Sequence, residues 1–316
     1  KVSVLETPAG FELNSAQVAG RVGEFIQRRL QNYDPQVTII PARKKGGLYS
    51  PDNFDVIKPM LTADVFFLGP GSPSYAIKQL HDTLAWQLLS LKNRQGALLV
   101  TASAATIASG RWALPVYEIY KVGDDPYWID GLDYFGDYGL SLTFIPHWNN
   151  TDGGSELDTS HCFMGESRYQ ELVNKISSET TIVGIDEQTA LIFDFAKGEC
   201  IVMGRSGVHI RKGSHAIDYS HSERFPINVL GDFHFPSPEV GIPARVIKMV
   251  EEQKHESSQA DMEHEIPREI MEMLEKRNRA RDNRDWEQAD VIRDALSAAG
   301  WRVVDTREGS ILEKTS

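Results

Sequence analysis

The stretch Gly96-Ala97-Leu98-Leu99-Val100-Thr101-Ala102-Ser103-Ala104-Ala105-Thr106 carries a short apolar run, of the kind that makes a buried parallel strand, directly into a helix-like segment. Between the two lie only very small side chains, with Ser103 at their centre. A backbone that doubles back so sharply passes within van der Waals reach of itself, so its flanking positions tolerate little more than a methyl group. A hydroxyl held on such a strand-to-helix turn stands exposed at the end of a sheet, which is the arrangement of a nucleophile elbow. The alternative is a small-residue strand–helix junction without chemistry.

The same alternation runs through the first part of the chain. Lys1–Leu5, Val37–Pro41, Ala63–Leu68 and Ala97–Val100 read as strands. Ser15–Leu30, capped by Ser15, and Tyr75–Leu91 read as helices. Strands separated by helices imply βαβ units and an α/β fold, a mostly parallel sheet flanked by helices. In such a sheet the reactive groups collect beyond the carboxyl ends of the strands. Past the elbow the rhythm changes. Tyr117–Lys121 and Gly139–Ile145 read as strands around a Gly-, Asp- and aromatic-rich loop, Gly153–Cys162 as a polar loop and Glu166–Ile176 as a helix. Thr180–Asp186, Ala190–Phe195, Cys200–Met203 and Val208–Arg211 are closely set strands, which predicts an antiparallel tail to the sheet. Apolar residues thin out over 253–266, which reads as a linker. Beyond Pro267 come two charged helices, Arg268–Arg281 and Trp286–Ala299, then Gly300 as a cap and a small hairpin of Trp301–Asp305 with Ser310–Glu313. The expected division is a large domain over 1–252, a linker over 253–266 and a helical-hairpin module over 267–316.

Composition narrows the function. The 316 residues are 41% hydrophobic and 25% charged, as in a globular protein. A net charge of -12 argues against a general nucleic-acid or anionic-membrane surface. Cys162 and Cys200 stand in no CxxC or zinc-like spacing, so neither a metal site nor a disulfide framework is expected, and the setting reads as reducing and cytoplasmic. No apolar stretch approaches the roughly 20 residues of a membrane span, so no membrane contact is expected. No signal peptide is visible, and because the chain opens directly on a strand, residues upstream of it are expected.

An attacking serine needs a base within hydrogen-bond reach, and the base needs a group to orient it. Two histidines are placed for this. His147 ends the run Leu142-Thr143-Phe144-Ile145-Pro146-His147-Trp148, at the edge where Ser103 should emerge, and His161 lies in the following loop. The acidic pair Asp186-Glu187 sits between two apolar strands, where a carboxylate is costly to bury without a partner. Its alternative is a tight hairpin with solvent-facing acids. The order serine, histidine, acid fits a triad but does not by itself establish one. Gly69-Pro70-Gly71-Ser72-Pro73-Ser74 leaves a strand end and precedes a helix, so its amides can face an anion. The Gly71 amide with that of Ala104 would complete an oxyanion hole. The loop lacks the Lys-Ser/Thr ending of a P-loop, which argues against nucleoside triphosphate hydrolysis.

Together these segments resemble the serine hydrolases that include cyanophycinase and aspartyl dipeptidase, whose flavodoxin-like core is similar to class I glutamine amidotransferases. The resemblance rests on Phe67-Leu68-Gly69-Pro70-Gly71, Thr101–Ala105, Ile145-Pro146-His147-Trp148 and, most specifically, Thr181-Ile182-Val183-Gly184-Ile185-Asp186-Glu187-Gln188-Thr189-Ala190-Leu191. It covers about residues 1–211. It implies Ser103 as nucleophile, His147 as general base and Glu187 as the orienting acid; His161, from its place in the following loop, is the alternative base. It implies no metal or organic cofactor, and a peptide or small amide substrate cut at a peptide or isopeptide bond beside an aspartyl residue. A substrate carboxylate would need a cation, for which Arg168, at the matching start of a helix, and Arg111 are the candidates. The chain departs from the family at Ala105, where Gly is usual, and in the polar loop Asn149–His161, where some relatives enter a helix directly. A catalytically silent domain that binds a small molecule or a partner is the rival expectation, and a homo-oligomer is the expected assembly.

The tail resembles a different family. Met271–Arg281, Asp285–Leu296 and Gly300–Thr306, within Pro267–Lys314, are similar to the C-terminal extension of cysteinyl-tRNA synthetases, which helps grip the anticodon end of tRNA. That resemblance implies tRNA contact. From the residues themselves, Ile270, Leu274, Ala289, Ile292 and Leu296 form a helical-hairpin core. Arg277, Arg279, Arg281 and Arg284 either contact phosphates or, with the acids between them, form a solvated salt-bridged face. No nucleotide signature or zinc-ligand set accompanies the module, so the chain does not read as a synthetase.

Overall fold

The computed structural model describes residues 1–264, 267–306 and 309–315, and the chain divides into two compact units, Lys1–Gln253 and Lys254–Ser316. In the first unit β1 (Val2–Leu5), β2 (Val37–Ile40), β3 (Val65–Leu68) and β4 (Leu98–Thr101) form a parallel sheet in the order β2-β1-β3-β4. Leu5, Ile40, Leu68 and Thr101 align across it, so all four strands end at one edge. Both faces are covered, as a parallel sheet requires. Val2, Val4, Val65 and Phe67 pack with Ala19, Val22 and Ile26 of α1 (Ser15–Arg29) on one side. Leu5, Ile40, Phe66 and Leu68 belong to the main core on the other side. That core takes in α2 (Phe54–Ile57) and Leu80 of α3 (Pro73–Leu80), and Leu84, Ala85, Leu88, Leu89 and Leu91 of α4 (Leu84–Arg94). The single helix expected over Tyr75–Leu91 is thus two helices. Asp82 takes a left-handed φ of 57°, and Thr83 restarts the chain by accepting the Trp86 amide.

After α5 (Ala104–Ala108), the two-residue strands β5 (Trp112–Ala113) and β6 (Ile129–Asp130) pair antiparallel. Tyr117–Lys121, expected as a strand, falls instead in a turn of π-helix over Glu118–Val122. Ile119 within it and Val116 just before it are buried and three apart, a spacing that a helical turn puts on one face and a strand does not. Then come β7 (Leu142–Pro146), α6 (Ser160–Phe163), α7 (Gly165–Val173), β8 (Thr181–Ile185), β9 (Thr189–Asp194), β10 (Glu199–Gly204), β11 (Val208–Lys212), β12 (His215–Tyr219) and β13 (Arg224–Pro226). β7 and β8 run parallel, and the order β12-β11-β8-β7 is completed by antiparallel neighbours. β9, β10 and β13 form a separate antiparallel sheet, so the predicted antiparallel tail is present.

α8 (Ala244–His264) occupies most of the stretch that composition reads as a linker. The helix contains neither Gly nor Pro and is rich in Glu, Gln, Lys, Met and Ala, so its polar composition conceals good helix propensity. Residues 265–266 of that stretch lie outside the described residues. In the second unit α9 (Arg268–Asp282) and α10 (Trp286–Ala298) pack with the hairpin of β14 (Trp301–Thr306) and β15 (Gly309–Lys314). Ile270, Leu296 and Trp301 form the core, with Met273, Ile292, Val303 and Leu312 against them. Asp285 caps α10 by accepting the Gln288 amide.

Candidate active site

Ser103 sits between β4 and α5 with φ 52° and ψ -114°, a conformation that a residue bearing a Cβ adopts only when its surroundings impose it. The surroundings do so from both sides. The Ala102 amide donates to the Leu68 carbonyl, which continues the β3–β4 ladder up to the turn. The Thr106 hydroxyl donates to that of Thr101 at 3.0 Å, tying the helix start to the strand end. Ala105, where the resembling family carries Gly, is buried with its methyl in the main core.

β7 and β8 lie side by side with Pro146 opposite Ile185, so the residues that follow them, His147 and Asp186-Glu187, emerge together. His147 Nε2 lies 3.0 Å from Ser103 Oγ, and its Nδ1 lies 3.1 Å from Glu187 Oε1. With the proton on Nδ1, that nitrogen donates to the carboxylate and Nε2 accepts from the serine hydroxyl, the polarity that general-base activation needs. His147, like Ser103, has a positive φ, 53°. The acidic pair divides its duties. Glu187 faces the imidazole, whereas Asp186 is buried and accepts from Ser206 Oγ at 2.6 Å and the Gly207 amide at 3.0 Å, with His209 Nε2 at 3.2 Å.

Two features here escaped sequence reasoning. The loop after His147 supplies Asn150, buried to 2% exposure, whose Nδ2 donates to the same Glu187 Oε1 at 2.9 Å. Its neighbour Asn149 accepts the Glu187 amide at 2.8 Å. The second feature is the seat of Trp148. Its ring lies so close over Gly184 that a Cβ there would stand 2.2 Å from Cε3, and the His209 ring stacks on it at 5.1 Å. A glycine inside an apolar strand, with a tryptophan directly after the candidate base, was the available signal.

The alternative base His161 does not reach Ser103. His161, Cys162 and Phe163 have consecutive positive φ values of 52°, 58° and 68°, and this left-handed turn directs the imidazole onto Tyr169, stacked at 4.2 Å, and the edge of Trp148. Burial pushes its pKa down. Arg111 also departs from its expected role. Its amide donates to the carbonyl of Leu142, the first residue of β7, while His147 follows the last, so Arg111 stands at the opposite edge of the sheet, its guanidinium paired with Asp133 at 3.1 Å. Arg168 is exposed on α7, and its side chain makes no hydrogen bond or ion pair among the described residues, with the triad or otherwise.

Gly71 and Ala104 follow the aligned ends of neighbouring strands β3 and β4. Gly71 has φ 153°, and a Cβ there would lie 1.9 Å from the Pro8 carbonyl oxygen, so only glycine lets the loop close on the turn after β1. The loop is pinned there by the Ser72 amide donating to Pro8 and by Ser72 Oγ accepting the Tyr75 amide. Among the described residues, no set of three side chains is arranged to hold a metal ion, and no helix is long and apolar enough to cross a membrane.

In the second unit most of the arginines proposed for phosphate contact are otherwise engaged. Arg277, buried to 4%, forms a two-pronged pair with Asp305 at 2.9 and 3.0 Å, Arg281 joins the same carboxylate at 2.8 Å, and Arg279 pairs with Glu275. The Arg277 and Ser310 hydrogen bonds hold the Asp305 carboxyl well below the usual carboxylate range.

No family model matches the chain. Among solved structures, a peptidase from an acI-B1 Actinobacterium superposes with a TM-score of 0.56 at 18% identity, covering 71% of this chain and 83% of that one. Among curated proteins, Cysteine--tRNA ligase 1 of Burkholderia lata is 54% identical over 48 residues, and the Cysteine--tRNA ligase of Caldicellulosiruptor saccharolyticus is 46% identical over 52. These matches take in 15% and 16% of this chain but only 10% and 11% of the ligases, so the chain spans about a tenth of the length of the curated relatives it matches. The protein therefore has the α/β fold of the actinobacterial peptidase and carries, in addition, a short segment similar to part of the cysteine–tRNA ligases.

Proposed function

We propose that the first unit is a serine hydrolase that cleaves a peptide or isopeptide amide. The observation that carries this reading is the continuous path from Ser103 Oγ through the His147 ring to Glu187 Oε1, built on a strained elbow. In the reaction Ser103 attacks the amide carbonyl as its proton passes to His147 Nε2. The amides of Gly71 and Ala104 receive the negative charge that develops on the carbonyl oxygen. His147 then gives its proton to the departing amine, and water, deprotonated by the same nitrogen, releases the acyl group. The peptidase fold of the structural neighbour supports the same class of reaction. A bond beside an aspartyl residue would need a cation for the substrate carboxylate. Of the two candidates, Arg168 is exposed and its side chain is unpaired among the described residues, whereas Arg111 is tied to Asp133.

The test is a fluorophosphonate probe read by intact mass, with Ser103→Ala alongside. A single adduct that vanishes in the variant is expected. A protein that stays unmodified at high probe concentration supports the rival, a silent binding domain, and counts against the hydrolase.

For the second unit, the similarity to cysteine–tRNA ligases supports a reading in which it touches RNA. Arg284, exposed and without an ion pair among the described residues, and the exposed Trp286, over which the Arg281 guanidinium lies at 5.9 Å, are candidate groups for that purpose. Filter binding of tRNA by the full chain, with Arg284→Ala and Trp286→Ala, tests it across salt concentrations. Affinity that neither substitution nor salt alters would reject it.

A further inference from the structure

We propose that Asn150 is a positioning residue of the triad, holding the Glu187 carboxylate aimed at His147. The inference rests on the hydrolase reading and extends it to the loop that follows the base. Glu187 Oε1 receives two donors, His147 Nδ1 at 3.1 Å and Asn150 Nδ2 at 2.9 Å. A carboxylate held by one donor is free to swing about its last torsion, whereas a second donor on the same oxygen fixes its plane. Asn150 is itself immobilised. Its Oδ1 accepts the Asp152 amide at 3.2 Å, its own amide donates to the His147 carbonyl at 3.2 Å, and its carbonyl accepts from the Thr159 hydroxyl. The residue therefore joins the backbone of the base to the side chain of the acid. Thr159, buried to 2%, also receives the Gly153 amide, so the loop closes around the asparagine.

The chemistry of the position calls for an amide. A carboxylate there would face Glu187 without a proton to share, and a methyl would leave the half-buried Glu187 oxygen with one protein donor in place of two. The other charged and titratable groups nearby are directed elsewhere. Asp186 bonds Ser206, Gly207 and His209, His161 stacks on Tyr169, and Asp152 contributes its backbone amide. Among the described residues, Glu187 and Ser103 are the side chains hydrogen-bonded to the His147 ring.

The experiment measures the second-order rate of fluorophosphonate labelling of the full chain across pH, for the wild type, Asn150→Ala and the isosteric Asn150→Asp, with melting temperature as the check on folding. Asn150→Ala should label about 10–100-fold more slowly on the plateau, the size of effect seen for outer partners that orient a histidine. Asn150→Asp should move the acidic limb of the profile to higher pH by about one unit, because a second carboxylate beside the imidazole favours its protonated form. A purely structural role would lower the melting temperature and leave the plateau rate of folded protein unchanged. Folded variants with the wild-type plateau rate overturn the proposal, and should Asn150→Ala fail to fold, the plateau rate of Asn150→Asp, which also lacks the donor, decides alone. A wild type that does not label overturns the hydrolase reading, and this inference with it.

Discussion

Replacing Gly184 with alanine tests whether the seat of Trp148 governs the position of His147. The new methyl would stand 2.2 Å from Trp148 Cε3 and 2.5 Å from Cδ2, against the 3.4 Å at which ordinary contact begins, so the indole must withdraw by about 1.2 Å. It has little room to do so. The His209 ring stacks on it at 5.1 Å, and the rings of His161 and Tyr169 meet it edge-on at 4.3 and 5.1 Å. Overpacking of this kind costs about 1–3 kcal/mol, which for a unit of this size lowers the melting temperature by about 2–12 °C. The catalytic consequence is separate. The Trp148 amide is anchored to the Ile185 carbonyl at 3.1 Å, and His147 precedes it in a left-handed conformation, so movement of the indole is passed to the imidazole. A displacement of about 1 Å in the Ser103–His147 geometry corresponds to about a 100-fold loss of rate. Melting curves and fluorophosphonate labelling of Gly184→Ala measure both effects on one sample. Wild-type values of each would refute the packing argument, and a lowered melting temperature with an unchanged labelling rate would refute the link from Trp148 to His147.

Two further outcomes follow from titratable groups. Asp305 has a depressed carboxyl in the folded state, so the stability it lends the second unit is complete above the ordinary carboxylate range and is lost as pH falls below about 4 toward its lowered value. Protection of the 268–305 amides in the full chain, corrected for intrinsic exchange, should show that acid dependence, and Asp305→Asn should weaken protection at pH 7 and abolish its dependence on this carboxyl's titration; equal protection in both proteins would contradict the pairing. Burial pushes the Cys162 and Cys200 thiols up to about 12, so native protein at about pH 8 should resist iodoacetamide, whereas protein in denaturant takes two adducts. Rapid alkylation of the native chain would show that these residues are not enclosed.

The parts of this molecule legible in its sequence are those governed by local rules. Apolar runs ending in small residues mark strands whose ends must meet at one edge, and that alone directs attention to Ser103, His147 and the Asp186-Glu187 pair, which the structure brings to that edge. Helical periodicity likewise marks Ile270, Ile292 and Leu296 as a core. Composition does not distinguish coil from helix where polarity and helix propensity coincide, as over 253–264, and a continuous pattern does not show where a single left-handed residue such as Asp82 divides it. The rest depends on long-range contacts. Which acid of the pair meets the imidazole, that His161 turns toward Tyr169, that Asn150 reaches back to Glu187 and that Arg277 closes on Asp305 are outcomes of contacts between segments distant in the chain. A local pattern specifies whether a backbone extends, coils or turns. The direction a polar side chain takes from that backbone is decided by the partner that folding brings within about 3 Å of it, and only the tertiary structure names that partner.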